Sequence, residues 1–133
     1  MIKRTLVGCL ALFGLMAISL QAHHSLAGVY DMKTDKEVSG TLKSIRFVNP
    51  HGQLTVTEKK SDGTTVDWIL TMGSATSLAQ AGIGNTGANA LHFGDAIKVK
   101  FLPALNGNPI GFLKTVTYPD GHTIVVSMGG PND

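Results

Sequence analysis

The chain has 133 residues, enough for one domain and too few for two ordinary cores. A formal net charge of +2, with 15% charged and 43% hydrophobic residues, excludes a disordered chain and a polybasic nucleic-acid binder. A single cysteine excludes a disulfide framework and any multi-cysteine zinc or iron–sulfur centre, while 16 glycines and 6% aromatics predict many turns around a light core.

Met1-Ile2-Lys3-Arg4 is a short positive head, and Thr5 to Leu20 carries no charge. Gln21-Ala22 then leads into His23-His24-Ser25. This order predicts a secretory signal over residues 1–22, cut after Ala22. A retained anchor is the competing reading. The run is short for a bilayer span, and Gly8 and Gly14 weaken it as a helix. Leu6-Val7-Gly8-Cys9 spells a lipobox, but Cys9 opens the apolar run instead of closing it and reads as an ordinary member. Cleavage leaves residues 23–133 as one exported domain, periplasmic or secreted, with residues 23–36 as an N-terminal segment and 128–133 as a loose tail. That domain has no cysteine, which suits an oxidising compartment. It has 9 basic residues against 9 acidic ones, so neither nucleic acid nor an anionic membrane is an expected partner.

Glu37 to Val48 reads as a strand. Val38, Gly40 and Leu42 share a face, but Ile45 and Phe47 fall out of phase, which predicts a bulge near Ser44. Asn49-Pro50-His51-Gly52 is a turn, and Gln53 to Lys59 alternates with Leu54 and Val56 inward. Ser61-Asp62-Gly63 signals a hairpin into Thr64–Met72, where Val66, Trp68, Leu70 and Met72 alternate with Thr65, Asp67, Ile69 and Thr71. Ser74 can cap a helix over Ala75–Ala81, stopped by Gly82. Residues 83–93 form a Gly/Asn-rich connector without periodicity. Strands follow over Ala96–Leu102, Ile110–Tyr118 and His122–Ser127, the last two joined by the Pro119-Asp120-Gly121 turn. A mainly β fold results: a small OB-like barrel of about six strands with one short helix between strands three and four. An open β-sandwich of the same strands is the alternative.

Gly82-Ile83-Gly84-Asn85-Thr86-Gly87 spells GxGxxG, but a helix precedes it and a loop follows. The strand-before, helix-after context of a dinucleotide site is missing. There is no Gly-x-Ser-x-Gly elbow and no marked carboxylate pair, so a non-enzymatic protein is expected. The histidines carry the chemical signal. Cleavage after Ala22 would make His23 the N-terminus, so that its amine and ring chelate together, while His24 offers ring, amide nitrogen and amine. With His51 from its turn these form a three-nitrogen set for copper, which heads the affinity order for such donors, or for zinc in an open site. The bland reading is an exposed mobile tail and a turn-dressing His51. His92 and His122 read as surface residues. Met72 and Met32 could ligate Cu(I), but core filling is the default for Met72. The alternative function is a binding module for a small molecule or a periplasmic protein. It would use the barrel face near Trp68 with Asn49, Tyr30 and the Asn49–Gly52 turn, although Trp68 reads first as a core anchor.

Across the exported chain these residues resemble the small exported bacterial proteins of the domain of unknown function 6152 family. The marks are Ala22-His23-His24-Ser25, Tyr30-Asp31, Gly40-Thr41, Asn49-Pro50-His51, Asp67-Trp68, Met72-Gly73-Ser74, Gly94-Asp95 and Pro119-Asp120-Gly121. Gly52-Gln53-Leu54 stands where the family commonly has an aromatic, Thr71 where an acidic residue is common, and Ala75 where Pro is usual. The resemblance implies export and a small β-rich fold, and it supplies no activity.

Overall fold

The alternating segments become paired strands. The computed structural model describes residues 26–126 and contains β1 (Lys36–Arg46), β2 (Gln53–Lys59), β3 (Thr65–Thr71), β4 (Ala96–Pro103), β5 (Ile110–Thr117) and β6 (Thr123–Val125). Helix α1 (Ala75–Gln80) lies between β3 and β4, and residues 26–29 form a helical turn. The sheet order is β3-β2-β1-β4-β5-β6, and a parallel pairing of β3 with β5 closes the first five strands into a barrel. This is the OB-like arrangement predicted, with the helix in the expected place, and not an open sandwich. β6 extends the wall beyond the closed ring by pairing with the second half of β5.

The bulge in β1 explains its broken periodicity. Pairing with β2 slips between Leu42 and Ser44, so Lys43 is the additional residue. Leu42 is buried and Ile45 also packs on the core, despite their odd spacing. Two glycines make the tight barrel possible. A Cβ at Gly40 would run into the Thr57 carbonyl, and one at Gly111 into the Phe101 ring. The space at Gly111 lets Phe101 fill the interior, where it meets Trp68 at 5.1 Å between ring centroids. Leu54, Leu70, Met72, Leu78, Val99 and Leu113 complete that interior with no exposure. Each such side chain contributes about 1.5–3 kcal/mol on burial.

Two strands and one connector depart from the sequence expectation by more than a terminal residue. β1 stops at Arg46, two residues before Val48. β6 is three residues long, and Ser127 lies outside the described residues. The connector over 83–93 is tied down: Ile83 and Leu91 are buried, and Gly84 bridges Ala90. A second, smaller cluster lies on the outside of the wall, where Leu102 and Phe112 pack against Tyr30 and Leu26. These two residues neighbour the inward-facing Phe101 and Leu113, so the strands here are apolar on both faces. The N-terminal segment covers them, with Tyr30 bridging Ala104.

Candidate functional site

The turn that carries His51 is held by backbone. Asn49–Pro50 is a cis peptide bond. The Gly52 N–H donates to the Gly73 carbonyl at 3.0 Å, and the Met72 N–H donates to the Gly52 carbonyl at 2.9 Å. Asn49 Oδ1 accepts from the Ala75 N–H at 3.1 Å, satisfying a free donor in the first turn of α1, whose cap Ser74 accepts from the Ser77 N–H. Gly52 is buried against Met72 and Leu78. His51 stands exposed on this fixed base. His23 and His24 lie outside the described residues.

Tyr30 places the N-terminal segment near the same rim. Its hydroxyl lies 3.2 Å from Thr71 Oγ1, and its ring meets Phe112 edge-on at 5.8 Å. Thr71 pairs with Phe112 on one side and with Gln53 on the other, and Gln53 is two residues from His51. Among the described residues no three His, Cys, Asp or Glu side chains gather into a metal-binding group. A three-ligand site including His51 therefore needs donors from outside them.

Trp68 is set differently. It is 8% exposed, its Nε1–H donates to Glu58 Oε2 at 2.8 Å, and the Lys36 ammonium lies 4.8 Å from its ring centroid. The core-anchor role fits this burial. Four strand steps, about 13 Å, separate it from Met72 beneath the turn. Asn49 and Tyr30 each have structural partners. Met72 is fully buried, while Met32 is exposed. Asp67, inside β3, accepts from Lys43 Nζ and from Thr57 Oγ1, and these bonds hold its carboxyl below the usual carboxylate range.

One polar cluster escaped the sequence reading. His122 Nδ1 lies 2.5 Å from Asp120 Oδ1, and its Nε2 lies 3.0 Å from Asn89 Oδ1. The ring stacks on Tyr118 at 4.3 Å, and the Tyr118 hydroxyl donates to the Asn89 carbonyl at 2.8 Å. The His122 N–H, then its ring, lower the Asp120 carboxyl, while burial followed by Asp95 raises the Tyr118 phenol. The signal was present as Tyr, Asp and His at alternate positions around a tight turn, but its partner Asn89 is remote in sequence.

A family model matches residues 12–114. The chain belongs to this family of unknown function, DUF6152. The DUF6152 match takes in His23, His24, His51 and Trp68, and it ends before the Tyr118–His122 turn. No curated protein and no solved structure matches the chain.

Proposed function

We propose that the protein is an exported, non-enzymatic OB-like domain that binds copper, or secondarily zinc, through His23, His24 and His51. The carrying observation is the Tyr30–Thr71 contact, which fastens the N-terminal segment to the row of residues leading to His51. Thr71 sits between Phe112 on β5 and Gln53 on β2, about 5 Å from each. Leu26 packs on the Phe112 cluster, and the two residues from it to His24 reach at most about 7 Å. Three nitrogen donors without thiolate suit Cu(II) first. The non-enzymatic part rests on the lack of a recognisable catalytic constellation in the sequence, and Asp67, held ionised by Lys43 and Thr57, is a poor base.

The test takes protein exported by the cells that make it. Intact mass fixes the N-terminus, and Cu(II) and Zn(II) are titrated into wild type and a His23→Ala/His24→Ala variant. The expected results are a cut after Ala22, a one-to-one Cu(II) complex and its loss in the variant. A cut elsewhere, or equal binding by the variant, overturns the reading.

A further inference from the structure

The turn between β4 and β5 carries an inference that is independent of the metal reading. Its exposed tip is Asn106-Gly107. Asn106 Oδ1 accepts from the Asn108 N–H at 3.1 Å. That bond closes a ring whose members include the Asn106 side-chain amide carbon and the Gly107 backbone nitrogen. The side chain is thereby folded back over the peptide that follows it. Gly107 has no Cβ to shield that nitrogen, and around the place a Cβ would take nothing but its chain neighbours lies within 4 Å. Its φ of +76° is one that glycine adopts without strain. The Gly107 N–H donates to the Ala104 carbonyl at 3.2 Å, the long end of the ordinary range.

We propose that Asn106 is a self-modifying site, which converts to aspartate and isoaspartate through a succinimide and, as isoaspartate, loosens the N-terminal segment from the barrel. The Gly107 nitrogen gives its proton to hydroxide and attacks the Asn106 amide carbon. A C–N bond forms as the carbonyl π electrons move to Oδ1, where the Asn108 N–H supports the developing charge. The C=O bond then re-forms, the Cγ–Nδ2 bond breaks, and the departing nitrogen takes a proton from water and leaves as ammonia. That proton transfer restores the hydroxide. A further water opens the ring. Attack at the side-chain carbonyl gives aspartate, and attack at the backbone carbonyl gives isoaspartate.

The other asparagines among the described residues lack this combination. Asn49 and Asn108 precede Pro50 and Pro109, whose nitrogens carry no proton to lose. Asn85 precedes the β-branched Thr86, and Asn89 precedes Ala90 with its side chain held against His122. The consequence lies in what the turn holds. The Leu105 N–H donates to the Val29 carbonyl at 2.9 Å, and the Ala104 N–H to the Ile110 carbonyl at 3.1 Å. The first bond fastens the N-terminal segment whose Leu26 and Tyr30 cover Leu102 and Phe112. Isoaspartate routes the main chain through the former side chain and lengthens the turn by a methylene. Aspartate keeps the chain length and adds only a charge.

Peptide mapping by mass spectrometry of the full chain, aged in mildly alkaline buffer, tests the site. Conversion at Asn106 is expected to run about tenfold ahead of Asn85 and Asn89, a barrier gap of about 1.4 kcal/mol, with both acid products resolved by chromatography. Asn106→Gln should abolish conversion at this turn, because its longer side chain closes a less favourable ring. The isoaspartate form is then isolated by charge and compared with the intact chain by backbone amide exchange. Protection at Leu105 is expected to fall about tenfold, the size of one net hydrogen bond, while Val56 in β2 stays constant. Asn106→Asp supplies the charge without the methylene and should keep Leu105 protected. Conversion at Asn106 no faster than at Asn85 or Asn89 overturns the proposal. So does unchanged Leu105 protection in the isoaspartate form, or an equal loss in Asn106→Asp.

Discussion

The β1–β2 turn and the α1–β4 connector close the same end of the barrel by different means. The turn is locked by backbone: Gly52 exchanges bonds with Met72 and Gly73, and Asn49 binds the start of α1. The connector holds itself with long backbone bonds and depends on Tyr118 and His122 to pin Asn89. Backbone pairing does not titrate, so the turn offers His51 a base that is indifferent to pH. The connector is instead pinned by side chains, Tyr118 and His122 on Asn89. One end of one small barrel thus combines a backbone-locked turn and a side-chain-pinned connector.

The largest expected break in this contrast is Leu78→Ala, which empties the space under the turn. It should cost about 2–5 kcal/mol in urea unfolding. Glycine substitutions sharpen the difference next. A Cβ at Gly52 would lie 2.9 Å from the Arg46 carbonyl and 3.0 Å from the Met72 methyl, so Gly52→Ala should destabilise by about 1–3 kcal/mol. At Gly84 in the connector the nearest atom is the Thr86 carbonyl at 3.7 Å, and φ is not positive. Gly84→Ala should therefore be neutral or stabilise by up to about 1 kcal/mol in the same assay. Asn49→Ala removes one bond to α1 and should cost about 1 kcal/mol, read as a lower thermal midpoint.

The smallest effect is at acid pH. Asp67 and Asp120 are both depressed in the folded protein, by Lys43 and Thr57 and by His122 respectively. Their contribution is complete above the ordinary carboxylate range and is lost as pH falls below about 4 through the folded values. Asp67→Asn should flatten that acid limb in pH-dependent urea midpoints, leaving the neutral region in place.

Much of the barrel was legible because one-face burial writes period two into a strand. Val66, Trp68, Leu70 and Met72 showed it directly, and the phase slip at Ile45 exposed the bulge. Ser74 and Gly82 marked α1 through cap chemistry. The outer cluster was not legible, because Phe101-Leu102 and Phe112-Leu113 bury both faces and alternation vanishes there. The connector gave no period at all: Ile83 and Leu91 are isolated anchors among glycines. His51 and Trp68 could be found as residue types, but Trp68's bond to Glu58 and His122's bond to Asn89 depend on register and on a remote loop.

The central claim is that metal chemistry belongs to the fixed turn and not to the connector. Its most direct test is paramagnetic line broadening of the histidine ring signals as Cu(II) is added below one equivalent to the exported protein. The account predicts that His51 broadens first, together with His23 and His24, while His92 and His122 stay sharp. Equal broadening of all five rings, or broadening that begins at His92 and His122, would contradict it.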